Sequence, residues 1–185
     1  MAAKAVAFQK YNNLTPFISA QLYYSLVGRD IELDIVPFLK DAGIGMMVWS
    51  PLAGGFLSGK YTRTDPTGGG GRLSKFEFIP VDKERGYDIV DELSKIARSH
   101  NATVAQVSLA WLLAKSYVST VIIGATSMRQ LDDNLGAAGV ELSRAEIEAM
   151  DKLAPAAITY PHWMYMEPTD PIHVAMKIQG RWPAI

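Results

Sequence analysis

Two short stretches of this chain carry groups that could do chemistry. In the first, Trp49-Ser50-Pro51-Leu52-Ala53-Gly54-Gly55-Phe56-Leu57-Ser58-Gly59-Lys60-Tyr61, an apolar run ends in an aromatic and passes straight into small residues. Small residues let backbone N–H groups approach a pyrophosphate, Ser50 adds a hydroxyl donor, and Lys60 stands close enough to neutralise phosphate charge. An ordinary turn is the alternative for a Gly-Gly pair beside a lysine; direct attachment to a buried strand favours the anion-binding reading. The second stretch is Val121-Ile122-Ile123-Gly124-Ala125-Thr126-Ser127, followed by Gln130-Leu131-Asp132-Asp133-Asn134-Leu135. A strand, a small-residue turn and a helix bearing Gln130, Asp133 and Asn134 on its first turns place donors at a helix N-terminus, where anions bind well.

Proton-transfer chemistry is harder to place. The candidate donors are Tyr23, Tyr24, His162 and Tyr165. A general acid must be positioned and suitably tuned, and no spacing pairs Tyr23 with a lysine and a histidine. Aromatic packing and surface tyrosines are the plainer account, so no catalytic residue is assigned. His100, His162 and His173 lack ligand spacing with carboxylates, so no metal site is expected. The absence of cysteine excludes disulfides, thiolate chemistry and cysteine-bound zinc.

The elements that must position these groups alternate. Residues 2–12 read as a helix closed by Asn12-Asn13. Phe17–Gln21 reads as a short buried strand. Asp30 is a plausible N-cap for a helix carrying Ile31, Ile35, Val36 and Leu39 that stops at Gly43. Ile44–Trp49 is a strand buried on both faces. Residues 50–82 form a long irregular segment, and its Thr67-Gly68-Gly69-Gly70-Gly71 run is expected to be mobile. Helices follow at about 83–100 and 104–115, the latter capped by Thr103 with Val107, Leu109, Trp111 and Leu112 inward. Val118–Ile123 is a third buried strand, and helices at about 127–138 and 143–153 follow, Ser143 and Glu146 forming a capping box. From Pro155 the chain is a tail rich in proline and aromatics. This order predicts parallel strands with right-handed crossovers. Both edge strands are long, apolar and uncharged, which natural sheets avoid unless the edge is covered.

The chain has 185 residues and a net charge of −1, which gives no electrostatic case for nucleic acid or an anionic membrane. Its mean hydropathy of +0.06 hints at apolar surface that meets a partner. The first residues are too polar to be expected to act as a signal peptide, and no stretch approaches a transmembrane length. A cytoplasmic, soluble protein is the expectation.

Several motifs, in order and at consistent separations, resemble the C-terminal half of an aldo-keto reductase, in the branch of bacterial reductases and potassium-channel β subunits. Besides the two stretches above, Gln21-Leu22-Tyr23-Tyr24-Ser25-Leu26-Val27-Gly28-Arg29-Asp30 fits the family pattern after the sixth strand. Val107-Ser108-Leu109-Ala110-Trp111-Leu112-Leu113 fits the helix before the eighth. The resemblance implies an α/β fold: a partial, truncated TIM (β/α)8 barrel comprising strands six to eight with their helices. A complete barrel usually needs ~250 residues. Residues 1–154 would be the half-barrel and 155–185 a tail covering its face, with His162, Trp163 and Tyr165 where the family folds a segment over the substrate.

The resemblance also implies NADP(H) as cofactor. Trp49 takes the place of the aromatic stacked on the nicotinamide and Gln21 that of the amide at its carboxamide. Ser50, Pro51, Leu52, Ala53, Gly54, Gly55 and Lys60 lie along the pyrophosphate. Gly124 and Thr126 fall near the adenosine 2′-phosphate, Gln130 at the ribose-phosphate, and Asp133 with Asn134 at the adenine amino group. Many members have a basic residue where Gln130 stands, and Asp133 replaces a commoner glutamate; Arg72 or Arg129 could restore positive charge. The family reduces aldehydes and ketones with an Asp-Tyr-Lys-His group on its second to fourth strands, which this chain is expected to lack. The leading expectation is therefore an oxidoreductase fragment that binds NADP(H) weakly and acts on a small carbonyl substrate only if completed by a chain supplying the N-terminal half-barrel. A homo-oligomer, most simply a dimer, is the other expected assembly. The alternatives are a non-enzymatic cofactor-binding or assembly module, and a different hydrolase or lyase chemistry on the half-barrel.

Overall fold

A computed structural model describes residues 1–71, 73 and 79–156. Met1–Pro155 forms one compact unit and Ala156–Ile185 a second. The expected tail with His162, Trp163, Tyr165 and His173, like Arg72, lies outside the described residues.

Three parallel strands, β1 (Ser19–Tyr23), β2 (Gly45–Trp49) and β3 (Val118–Val121), lie side by side in chain order. The fold is α/β, an open three-stranded part of a (β/α)8-like barrel. β1 runs in continuous register on β2, from Ser19 opposite Gly45 to Tyr23 opposite Trp49. The β2–β3 ladder shifts between Met46 and Met47, and Ile122 N–H then bonds Val48 O at 2.8 Å. The three strands thus end together, and the two chemistry-bearing stretches leave neighbouring strands at one edge.

Local signals set most helix limits. α1 (Ala2–Tyr11) ends where Asn12 donates its side-chain amide to Phe8 O and Asn13 turns to φ +53°. α2 (Ile35–Ala42) buries Val36 and Leu39 and stops at left-handed Gly43. Asp30 does not cap it. Asp30–Glu32 is a separate 3-10 turn, held by buried Ile31 and by the Arg29–Glu32 ion pair at 2.8 Å. α3 (Lys83–Ser99) starts on Asp82, whose carboxylate accepts Arg85 N–H. α4 (Val104–Leu113) and α6 (Arg144–Leu153) begin with full capping boxes, Thr103 with Gln106 and Ser143 with Glu146. α5 (Met128–Leu135) is capped by Ser127, and a 3-10 turn, Gly136–Gly139, follows it. The Glu146 carboxyl sits below the ordinary glutamate range, chiefly because Ser143 donates to it, with His100 at 2.7 Å helping.

The core lies between the sheet and α3, α4 and α6, with Met46, Val48, Leu93, Val107, Trp111, Leu112 and Met150 fully buried or nearly so. Two of the three expected buried strands are not buried. β1 begins two residues later than expected, leaving Phe17 53% and Ile18 79% exposed, and β3 ends at Val121 with Ser119 and Thr120 exposed. Each has a neighbour on one side only, and central β2 is buried on its Met46 and Val48 face alone, not on both faces as expected, since Gly45, Met47 and Trp49 are half-buried. The glycine run is likewise an organised turn: Asp65 accepts N–H bonds from Thr67 and Gly69 and the Thr67 hydroxyl. Gly68, Gly69 and Gly70 supply the positive φ that turn requires.

Candidate functional site

The turn after β2 is built from backbone conformations that favour glycine. Ser50 and Ala53 take φ of +53° and +48°, and Gly54, Gly55 and Gly59 are also left-handed. Such torsions in non-glycine residues are costly and cluster at functional loops. Pro51 and Ala53 are buried and Leu52 is half-buried, so these side chains anchor the turn in the core. The amides expected to face a pyrophosphate are instead partly used within the turn. Ala53 N donates to Ser50 O at 2.9 Å, Gly54 N to Ser50 Oγ at 3.3 Å and Gly55 N to Leu52 O at 2.9 Å. The Ser50 hydroxyl accepts from Gly54 and so keeps its own proton for an outside acceptor. Lys60 is exposed, with Nζ 5.0 Å over the Tyr61 ring.

Upstream on the same edge, Trp49 is half-buried and packs on Tyr23 with ring centroids 5.3 Å apart. Gln21 sits on β1 opposite Met47 with its side chain exposed. Tyr23, a candidate acid, shares a 2.9 Å hydrogen bond with Ser25, and burial raises its pKa. Tyr24 is fully buried, bonded to Glu32 and to the Tyr117 hydroxyl, and burial raises its pKa strongly. Burial pushes the Tyr117 phenol up to about 12.

The turn after β3 is stitched across itself. Gln130 Oε1 accepts both Thr126 N–H at 2.8 Å and Thr126 Oγ1 at 2.9 Å, and Ser127 Oγ accepts Gln130 N–H. Gly124 to Gln130 are all exposed, and nothing lies within 4 Å of where a Cβ on Gly124 would stand. Two expected adenine contacts are turned to the protein. Asn134 is 8% exposed and donates to Gly124 O at 3.4 Å, whereas Asp133 accepts the Thr103 hydroxyl at 3.2 Å.

The first turns of α4 hold the turn after β2 directly and the turn after β3 through α5. Ser108 Oγ shares its proton between Leu57 O at 3.2 Å and Val104 O at 2.8 Å, and Val104 packs against Gly59. Gln106 accepts Thr103 N–H within the capping box and donates to Asp133 O at 2.9 Å. Gly136 leaves room for it, since a Cβ there would lie 2.4 Å from Gln106 Nε2. Sequence reasoning found Thr103 as a cap and missed Gln106 and Ser108 as struts. The Thr-x-x-Gln spacing was the only local signal; the far ends of those bonds are tertiary. Among the described residues no group of three or more histidines or carboxylates could hold a metal ion, and no helix is long and apolar enough to cross a membrane.

Residues 2–155 match the aldo/keto reductase family model. The chain is 34% identical over 142 residues to a probable aldo-keto reductase 1 from Glycine max, covering 76% of this chain and 40% of that protein. It is 37% identical over 153 residues to a putative voltage-gated potassium channel subunit beta from Schizosaccharomyces pombe, covering 79% and 41%. With the NADH-specific methylglyoxal reductase of Escherichia coli it shares 32% over 136 residues, covering 74% and 41%. The chain thus spans less than half the length of these relatives. With the family model matching nearly all of the compact unit, the chain belongs to the aldo/keto reductase family, in a branch related to bacterial reductases and potassium-channel β subunits.

Proposed function

We propose that this chain holds NADP(H) across the turns after β2 and β3, as the dinucleotide-binding part of an aldo-keto-reductase-type oxidoreductase that reduces aldehydes or ketones. The observation that carries this reading is the common α4 bracket. It ties the lysine-bearing glycine turn after β2 to α5, the helix whose Asn134 reaches back to Gly124 in the turn after β3, and both turns stand at the C-terminal ends of neighbouring parallel strands, which is where such barrels place their ligands.

The residues present fit the group. Lys60 and the Ser50 hydroxyl serve the pyrophosphate, with Pro51, Leu52, Ala53, Gly54 and Gly55 shaping the turn. Gly124 leaves open space for the adenosine 2′-phosphate beside Thr126 and Gln130, and Arg129 is the nearby cation in the sequence. Asp133 and Asn134 shape the adenine end from behind. Trp49 and Gln21 stand at the nicotinamide end. Arg72, like Arg129, is a cation that would restore the positive charge lost where Gln130 replaces a basic residue. When bound, the dinucleotide supplies a hydride; this chain's residues bind and orient it. The relative from Escherichia coli is named for NADH, so NADH belongs beside NADPH in any binding test.

Protonation of the reduced carbonyl oxygen is a separate requirement. Tyr23 is tied to Ser25, and Tyr24 is sealed in the core. This favours a cofactor-binding module that acquires reductase activity only with a second copy or a chain supplying further strands. Removing a positioned acid typically lowers rates ~10²–10⁴-fold. NADPH oxidation with 4-nitrobenzaldehyde should therefore stay at the background rate. Robust turnover abolished by Tyr23→Phe would show that the chain carries its own acid and would overturn this reading.

A further inference from the structure

We propose that Tyr61 is a positioning residue: its ring holds the Lys60 ammonium at the Gly55 turn and so sets the phosphate affinity of that turn. The proposal rests on the reading of the β2 turn as a dinucleotide phosphate site.

Tyr61 is 1% exposed although Lys60 beside it is exposed. Its ring has one arrangement available. Phe56 stacks on it with centroids 6.1 Å apart and planes 6° apart. Gly68 and Gly71 approach so closely that a Cβ on either would stand 2.8 Å and 2.4 Å from Tyr61 atoms, and the phenol oxygen accepts Leu73 N–H at 3.0 Å. Against this fixed ring lies the Lys60 ammonium, 5.0 Å from its centroid. The same ammonium is 3.6 Å, and its Cε 3.5 Å, from the point where a Cβ on Gly55 would stand. Among the described residues no carboxylate pairs with Lys60. A lysine ammonium on a four-carbon stem samples many positions unless something holds it. An aromatic face attracts it without neutralising it. The ring therefore keeps a full positive charge beside the turn, which an acidic partner would cancel. The glycines at 68 and 71 acquire a reason of their own: any side chain there would displace the ring that holds the cation.

The test combines two readouts on the full chain. In the ligand-free protein, the Lys60 Hε proton resonances should be shifted upfield by the Tyr61 ring current. Tyr61→Phe should retain the shift and Tyr61→Leu should lose it. NADPH affinity by calorimetry should fall about fivefold in Tyr61→Leu, stay within about twofold in Tyr61→Phe, and fall in Lys60→Gln. The double variant should be no weaker than Lys60→Gln alone, because the ring acts only through the lysine. Strictly additive losses, or an unshifted Lys60 resonance in the parent protein, would overturn the proposal. If Tyr61→Leu does not fold, the decision passes to the parent's resonance and to Tyr61→Phe, where a lost shift or a fivefold weaker affinity overturns it. No NADPH binding by the parent would sink the reading of the site, and the resonance would still decide whether Tyr61 places Lys60.

Discussion

Gly43 and Gly55 have φ of +66° and +97°, where an L side chain costs roughly 1–2 kcal/mol. A Cβ on Gly43 would meet nothing within 4 Å, and one on Gly55 would meet Lys60 Cε at 3.5 Å. Alanine at either position should therefore destabilise the fold similarly, by about 1 kcal/mol in urea titration. Only Gly55→Ala should also weaken NADPH binding, because only Gly55 belongs to the proposed site. Equal weakening in both variants would count against the assignment of the β2 turn. At this scale the sequence was informative where the chemistry is local. Thr103 and Ser143 accept N–H bonds three residues on, as Ser/Thr caps do. The left-handed Ser50 and Ala53 carry no such mark, since nothing in a serine or an alanine announces positive φ. The bond from buried Asn134 to Gly124 O carries no mark either, because the direction of a polar side chain on a helix depends on what packs there.

Among the elements, α6 is fastened to α4 and to the segment after β1 through one carboxylate. Asp151 accepts the Trp111 indole N–H at 2.9 Å and the Lys115 ammonium at 2.7 and 2.8 Å, and lies 3.3 Å from Arg29. Arg29 and Lys115 also lie over the Trp111 ring, at 5.3 and 4.4 Å. Removing one partner of a buried pair costs ~3–5 kcal/mol. Asp151 is 31% exposed, so solvent softens the loss. Asp151→Ala should cost about 2 kcal/mol by urea denaturation, and Asp151→Asn less, since it keeps an acceptor for the indole. Stability equal to the parent in Asp151→Ala would show that the brace is ornamental. This network was invisible in the sequence because its members are scattered over residues 29 to 151. Strand existence and order were legible from apolar runs between turn signals. Strand burial was not, because a short apolar run reads the same in an edge strand as in a central one.

For the whole molecule, the sheet has two outer edges and a middle strand buried on one face. Phe17 and Ile18 lead into β1 exposed, Phe8 on α1 is 62% exposed, and α1 buries no residue at all. Uncharged strand edges of this kind invite pairing with another chain. The chain is expected to self-associate through an interface at the large, apolar end of the range, above ~2,000 Å². Two copies bring six strands, so an edge-to-edge or face-to-face pair fits better than a closed barrel. Sedimentation showing a folded monomer at micromolar concentration would contradict this. The family was legible because several motifs recur in order over residues 2–155. The shared α4 bracket was not, because it joins three segments distant in the chain.

The central claim is that the two turns bind the phosphate and adenosine end of a nicotinamide dinucleotide, and calorimetric titration with NADPH and with adenosine 2′,5′-bisphosphate tests it most directly. With Gln21 and Trp49 the residues proposed for the nicotinamide end, and a hydrogen bond worth ~1–3 kcal/mol, NADPH should bind weakly and the fragment almost as well, within about tenfold. NADPH binding a hundredfold tighter than the fragment, or no binding of either, would contradict the account.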